Sequence, residues 1–197
     1  MTLNTVKGFL DNTEGNELAK IARKCSDLGP CLEIGTYCGK SALIIGEACR
    51  KSNNLLFTVD HHTGSEEHQL GEEYHDSELY DENISSFNTL PEFLENLKKS
   101  DLKNYILPLI GASKELAKEW KLPLGMVFID GGHSYQTTLN DLEIVYKKMK
   151  GKKGTIVCDD YQDASYITDV KKAIDYYVKK EKLSLRIIEG KFAVIDI

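Results

Sequence analysis

The run Cys31-Leu-Glu-Ile-Gly-Thr-Tyr-Cys-Gly-Lys-Ser41 constrains the fold more than any other stretch, because it reads as a buried strand ending in an acid, a glycine turn and the start of a helix. Gly35 and Gly39 allow the tight turns and close ligand approach of a nucleotide-cradling βα turn, and the unpaired N–H groups opening the next helix face whatever binds there. A nucleoside triphosphate is one candidate ligand, since Gly35 to Ser41 nearly spells G-x-x-x-x-G-K-[ST]. The run is one residue short, with only Thr36, Tyr37 and Cys38 between the glycines. A loop that wraps phosphate oxygens with successive N–H groups cannot lose a residue and keep its curvature. Glu33 would also set a carboxylate beside the phosphates. A dinucleotide is a second candidate, but Thr36 and Tyr37 follow Gly35, so G-x-G-x-x-G is absent. The third is S-adenosylmethionine, whose sulfonium and ammonium are cationic and whose ribose offers vicinal hydroxyls, a ligand that acids suit.

At 197 residues the chain fits a single domain, 1–197, with a sizeable core and a lid-like insertion at about 61–90. With 41% hydrophobic and 28% charged residues it reads as a soluble protein, and no apolar run approaches the roughly 20 residues that span a bilayer. Met1 to Phe9 lacks the apolar stretch of a secretory signal, so a cytoplasmic location is expected. A formal net charge of -6 argues against a nucleic-acid partner, which needs a basic stripe to displace counterions. The lysines at 147, 148, 150, 152 and 153 are read as complements to a helix end. Five cysteines with no C-x-x-C pair suggest reduced thiols, with Cys38 placed to be reactive in the glycine turn.

In chain order, residues 13 to 27 space Leu18, Ile21, Ala22 and Cys25 as one face of a helix, which Gly29-Pro30 stops. A strand at Cys31 to Ile34 and a helix from about Lys40 to Arg50 follow. Leu55 to Val59 is a continuous apolar run, typical of a parallel strand buried on both faces. It ends at Asp60, about twenty residues beyond the glycine turn, where Rossmann-like sites hold an acid for ribose hydroxyls. From His61 to Leu90 there is no lysine or arginine, and His61, His62, His68 and His75 sit among carboxylates. A long connection at a strand's carboxyl end is placed to act as a lid. The alternation resumes with a helix at Pro91 to Lys99, a strand at Tyr105 to Ile110 ending in Gly111-Ala-Ser113, and a helix to Trp120. Strands at Met126 to Ile129 and Thr155 to Cys158 end in Asp130-Gly-Gly-His133 and Asp159-Asp160-Tyr161, with a helix to Met149 between them. A helix from about Ala164 to Lys180 and a hairpin, Leu183 to Ile188 with Phe192 to Ile197, complete an α/β, Rossmann-like, doubly wound sheet. Seven strands are expected, mostly parallel, with the C-terminal hairpin antiparallel.

Asp130, Asp159 and Asp160 then cap adjacent strands, and three converging carboxylates commonly hold Mg²⁺ or a similar hard cation. His133 follows Asp130 by three residues, so both side chains can face one cleft, a base beside a Lewis acid. The segments E-x-G-x-x-x-G at 33 to 39, F-I-D-G-G-H at 128 to 133, C-D-D-Y at 158 to 161 and V-D-H-H-T-G-S-E-E-H-Q at 59 to 69 resemble class I S-adenosylmethionine-dependent methyltransferases. The resemblance is to the bacterial branch related to metal-dependent sugar O-methyltransferases of macrolide and aminocoumarin biosynthesis. It implies that Glu33, Gly35 and Asp60 serve the cofactor, with Thr36, Tyr37, Gly39, Ser41, His61, Gly111, Ser113 and Asp130 completing its site. It implies Asp130, Asp159 and Asp160 as metal ligands and His133, with Asp130, as catalytic. The expected acceptor is a small polar molecule or sugar bearing a hydroxyl, and the helix-rich surface is compatible with a homodimer. A metal-independent methyltransferase, a non-catalytic Rossmann-like binding module and an NTPase built on the near-phosphate-loop are the competing readings.

Overall fold

In the computed structural model, residues 5–65, 68, 69, 71, 72, 75–161 and 168–197 are described. Seven strands form the main sheet: β1 (Cys31–Ile34), β2 (Leu56–Asp60), β5 (Ile106–Ile110), β6 (Met126–Ile129), β7 (Thr155–Cys158), β8 (Arg186–Ile188) and β9 (Phe192–Asp196). They lie in the order β5-β2-β1-β6-β7-β9-β8. The first five pair in parallel, whereas β9 runs antiparallel between β7 and β8. This is the expected doubly wound sheet with its terminal hairpin, although β8 is shorter than Leu183 to Ile188.

The central strands are buried on both faces and are apolar apart from Glu33, Thr58, Thr155 and, at the end of β2, Asp60. In β6, Met126 and Phe128 join the core on one side, while Val127 and Ile129 join the core on the other. The first core gathers Leu18 of α1 (Asn12–Lys24), Ile45 of α2 (Lys40–Lys51) and Phe93 of α3 (Leu90–Ser100). The second gathers Leu142 and Val145 of α5 (Tyr135–Met149) with Ile174 and Tyr177 of α6 (Asp169–Glu181).

Helix α1 starts one residue earlier than its apolar spacing suggests, because Asp11 and Glu14 form a reciprocal cap. Asp11 Oδ1 accepts from the Thr13 and Glu14 N–H groups, and the Glu14 carboxylate accepts from Asp11 N. Helix α6 opens at Thr168, whose hydroxyl accepts from Lys171 N; the expected start near Ala164 lies outside the described residues. The pattern of apolar residues along it predicts Val170, Ala173, Ile174, Tyr177 and Val178 as its inner face; the first four are buried and Val178 is partly buried against the same core. A short helix α4 (Ser113–Glu119) links β5 to β6.

Among its described residues, the 61–90 insertion carries a 3₁₀ turn at Ser77–Leu79 and a small hairpin, β3 (Tyr80–Asp81) with β4 (Ser86–Phe87), that the sequence pattern does not reveal. The insertion is tied down by Lys7, whose ammonium meets Asp76 Oδ2 and Glu78 Oε2, each at 2.6 Å. Among the described residues, no helix is long and apolar enough to cross a membrane.

Candidate functional site

The sheet's order reverses at β1, which has β2 on one side and β6 on the other, and ligands of such sheets bind beyond the strand ends at that point. There the ends of β1 and β6 approach so closely that a Cβ on Gly35 would lie 1.8 Å from the Asp130 carbonyl oxygen. With φ at +84°, the position admits only glycine. Gly39 also sits in the left-handed region, facing Phe93, and leads into α2 with no side-chain cap. The first N–H groups of that helix are therefore left for a ligand.

A cavity of about 420 Å³ opens here, a size proper to a small-molecule site. Gly35, Thr36, Tyr37 and Ser41 line it from the first turn, Asp60 and His61 from the end of β2, and Gly111 and Ser113 from the end of β5. Asp130 and His133 line it after β6, and Asp159 and Asp160 after β7. Of the expected site residues, Glu33 and Gly39 stand behind this lining.

Glu33 is fully buried, and neither of its carboxylate oxygens has a hydrogen-bond partner. Burial pushes its carboxyl up to about 8, against the opposing influence of the Ser41 and Thr36 hydroxyls. The Thr36 hydroxyl is likewise buried without a partner. Asp60, expected at ribose hydroxyls, braces the glycine turn. Its Oδ2 accepts from Thr36 N at 2.7 Å and Tyr37 N at 3.0 Å, and its Oδ1 accepts from His62 N at 2.7 Å. A carboxylate offers about four lone-pair sites, so roughly one remains for a ligand.

Lys40, the lysine of the near-phosphate-loop, donates to the Gly8 carbonyl. Lys7 to Leu10, the segment this contact fastens, line the cavity as well. His61 also faces the cavity, with its Nδ1 engaged by Thr63 N and Oγ1. Cys38 is fully buried and its thiol is pushed up to about 12 by burial, which corrects the expectation of reactivity. The side chain turns inward, against Leu79 and Phe87 of the insertion.

At the β6–β7 end, charge dominates. Burial, then the neighbouring Asp160, pushes the Asp130 carboxyl up to about 7. Burial and both flanking acids raise Asp159 well above the usual range. Asp160 is held low: burial works against its charge, but the hydrogen bond from His133 and the nearby Lys191 outweigh it. His133 Nε2 lies 2.9 Å from Asp160 Oδ2. Lys191 Nζ bridges Asp159 Oδ2 at 3.2 Å and Asp160 Oδ1 at 3.4 Å.

Among the described residues, Asp130, His133 and Asp160 form a group able to hold a metal ion, with ligand atoms within 4.8 Å of one another. Asp159 stands outside it: its Oδ1 accepts from Asp160 N and its Oδ2 meets Lys191, while Asp160, just past the end of β7, turns away in the left-handed region at φ +53°. The histidines of the insertion join no such group among the described residues. Two carboxylates and an imidazole suit a divalent cation of the Mg²⁺ or Mn²⁺ kind.

Lys191, Asp141 and Lys7 to Leu10 are site residues that motif reading missed. For Lys191 a signal existed: an antiparallel β9 must begin where β7 ends, and Cys158 does pair with Ala193.

A family model described as a methyltransferase domain matches residues 32–161. An uncharacterised protein of Acanthamoeba polyphaga mimivirus is 29% identical over 149 residues, 75% of this chain. The chain spans only 58% of the length of that relative. The O-methyltransferase NovP is 19% identical with a TM-score of 0.68, over 93% of this chain and 79% of NovP. An O-methyltransferase from Bacillus cereus in complex with SAH is 14% identical with a TM-score of 0.67, over 98% of this chain and 85% of that one. The SAH-bound methyltransferase PaMTH1 of Podospora anserina is 14% identical with a TM-score of 0.66, over 95% and 79%. These structural likenesses establish a shared fold.

Proposed function

The chain belongs to the methyltransferase-domain family, and from that premise we propose that it moves the methyl group of S-adenosylmethionine to a hydroxyl oxygen of a small polar acceptor, such as a sugar. The observation that carries this reading is the pairing of a buried, unpartnered Glu33 with a roughly 420 Å³ cavity at the switch point of the sheet. A buried carboxyl without a partner is costly, and a cationic ligand beside it repays that cost. S-adenosylmethionine brings an ammonium, a sulfonium and a transferable methyl group. The SAH held by neighbours of the same fold supports the choice.

At the other end, His133 Nε2 lies 2.9 Å from Asp160 Oδ2, and we assign the ring proton to Nε2, beside that carboxylate, and the lone pair to Nδ1. His133 is then the base for the acceptor's proton, and Asp160 stabilises the imidazolium that results. Asp130 and Asp160 would hold a divalent cation, Mg²⁺ by our reading, whose charge lowers the pKa of an acceptor hydroxyl. The insertion at 61–90 and the segment around Lys7 are the lid of this single domain, orienting the acceptor and excluding water.

Calorimetry with S-adenosylmethionine tests the cofactor: binding in the micromolar range is expected, and no heat at millimolar ligand would sink the proposal. A second reading drops the metal, and Lys191 favours it, because an ammonium already neutralises Asp159 and Asp160. Activity that survives a chelator selects that reading; activity lost to the chelator and restored by Mg²⁺ selects the first. The five free, buried cysteines accord with work in a reducing cytoplasm.

A further inference from the structure

We infer that Asp141 is a positioning residue that makes the far end of the cavity accept an adenine base and refuse a hypoxanthine base, acting through the hydroxyl of Ser113. The inference rests on the S-adenosylmethionine reading and adds a determinant of which base it admits. Asp141 comes from α5, far in sequence from the glycine turn and outside the metal-capable group.

The direction of the ligand follows from the chemistry of the two ends. Near the first turn lie Glu33, Ser41 and the open N-terminus of α2, a setting for an amino-acid moiety with both charges. Past Asp60, the next strand end is that of β5, which pairs with β2 at the sheet's edge. A ligand that begins at the glycine turn and passes Asp60 therefore brings its base to Gly111–Ser113, with Asp141 and Gly131 lining the same end.

There the Ser113 Oγ donates to Asp141 Oδ1 at 2.6 Å, in the short range of hydrogen bonds to ionised carboxylates. Asp141 is only 4% exposed, so the bond is shielded from competing water. Gly131 leaves the carboxylate its room: a Cβ there would lie 3.2 Å from Asp141 Oδ2.

A hydroxyl has one proton and two lone pairs. With the proton committed to Asp141, Ser113 presents acceptors alone to the cavity. The 6-amino group of adenine donates to such a surface. The 6-oxo group of hypoxanthine sets lone pairs against lone pairs and leaves a desolvated oxygen unpaired. Sites built around one polar contact discriminate in this way, here by about tenfold to a hundredfold.

The test is calorimetry with S-adenosylhomocysteine and S-inosylhomocysteine on the wild type, Asp141→Asn, Ser113→Ala and Ser113→Thr, each checked for folding by circular dichroism. The wild type should prefer the adenosyl ligand about tenfold to a hundredfold. Asp141→Asn should bring the ratio towards unity, because a carboxamide can donate to Ser113 and free its proton to meet the 6-oxo group. Ser113→Ala should narrow the ratio, and Ser113→Thr, which keeps the hydroxyl, should preserve it. An unchanged ratio in a folded Asp141→Asn protein overturns the inference while the cofactor reading stands. If that variant does not fold, a full preference in Ser113→Ala overturns it instead. A wild type that binds neither ligand overturns the cofactor reading itself.

Discussion

The two ends of the cavity bury carboxylates and deal with them in opposite ways. At the β1–β2 end, Glu33 has no partner and holds its proton up to about pH 8, while Asp60 is satisfied by three backbone N–H groups. At the β6–β7 end, Asp130, Asp159 and Asp160 crowd together with a histidine and a lysine among them. At the first end Glu33 is managed by its own proton, with no internal cation beside it. The second carries its own cation, which an incoming metal must meet. A buried charge can thus be managed by protonation or by an internal counterion, and the choice sets what the site can bind.

Gly35→Ala should break the comparison outright by destroying the meeting of the two ends. The new Cβ would overlap the Asp130 carbonyl at 1.8 Å with φ at +84°, so a loss of about 4 kcal/mol or more is expected from a denaturant melt, with no ligand binding left. His133→Ala acts on the charged end alone. It should lower kcat by about a hundredfold or more while leaving S-adenosylhomocysteine affinity within about twofold. A parallel loss of affinity would mean that the two ends are not separable.

Lys191→Met removes the internal cation. Its side chain is one-fifth exposed, so about 2 kcal/mol of stability should be lost, less than for a fully buried pair. Mn²⁺ should bind about tenfold more tightly by calorimetry, since one like charge has left the site. Unchanged Mn²⁺ affinity would show that the ammonium does not compete for the acids.

The smallest effect is expected at Glu33. Its folded pKa of about 8 lies above the ordinary 4.5, so the folded chain keeps a proton that the unfolded chain releases between those values. Stability from this group falls as pH rises through that window, and the cost is complete above about pH 8. Glu33→Gln should therefore melt close to the wild type near the lower limit and gain on it with rising pH. A gain of about 1 kcal/mol, or roughly 2–4 °C, is expected at alkaline pH, because Ser41, Thr36 and entering water relieve part of the penalty. A difference that does not grow with pH would show that Glu33 is already ionised.

Much of the charged end was legible because strands announce their own ends. An apolar run followed by Asp130, or by Asp159-Asp160, puts acids at the rim of any parallel sheet. Reading could not tell which acids face one another. Asp160 lies in the left-handed region at φ +53°, which turns it towards His133, while Asp159 turns to Lys191. The insertion was legible only as an interruption: its hairpin has two-residue strands, too short for alternation to show.

The order of strands and helices, the glycine turn and the acids that follow β2, β6 and β7 were determined by local chemistry, since periodicity, turn residues and strand-terminal polarity act over a few neighbouring positions. Tertiary structure alone decided that Glu33 lacks a partner, that Asp141 reaches Ser113 from another helix, and that Lys191 returns from the far hairpin to the acids. Those facts depend on which distant segments the folded sheet brings within a few ångströms. Burial and Coulomb energy at such distances are properties of the packed chain, which no stretch of it carries by itself.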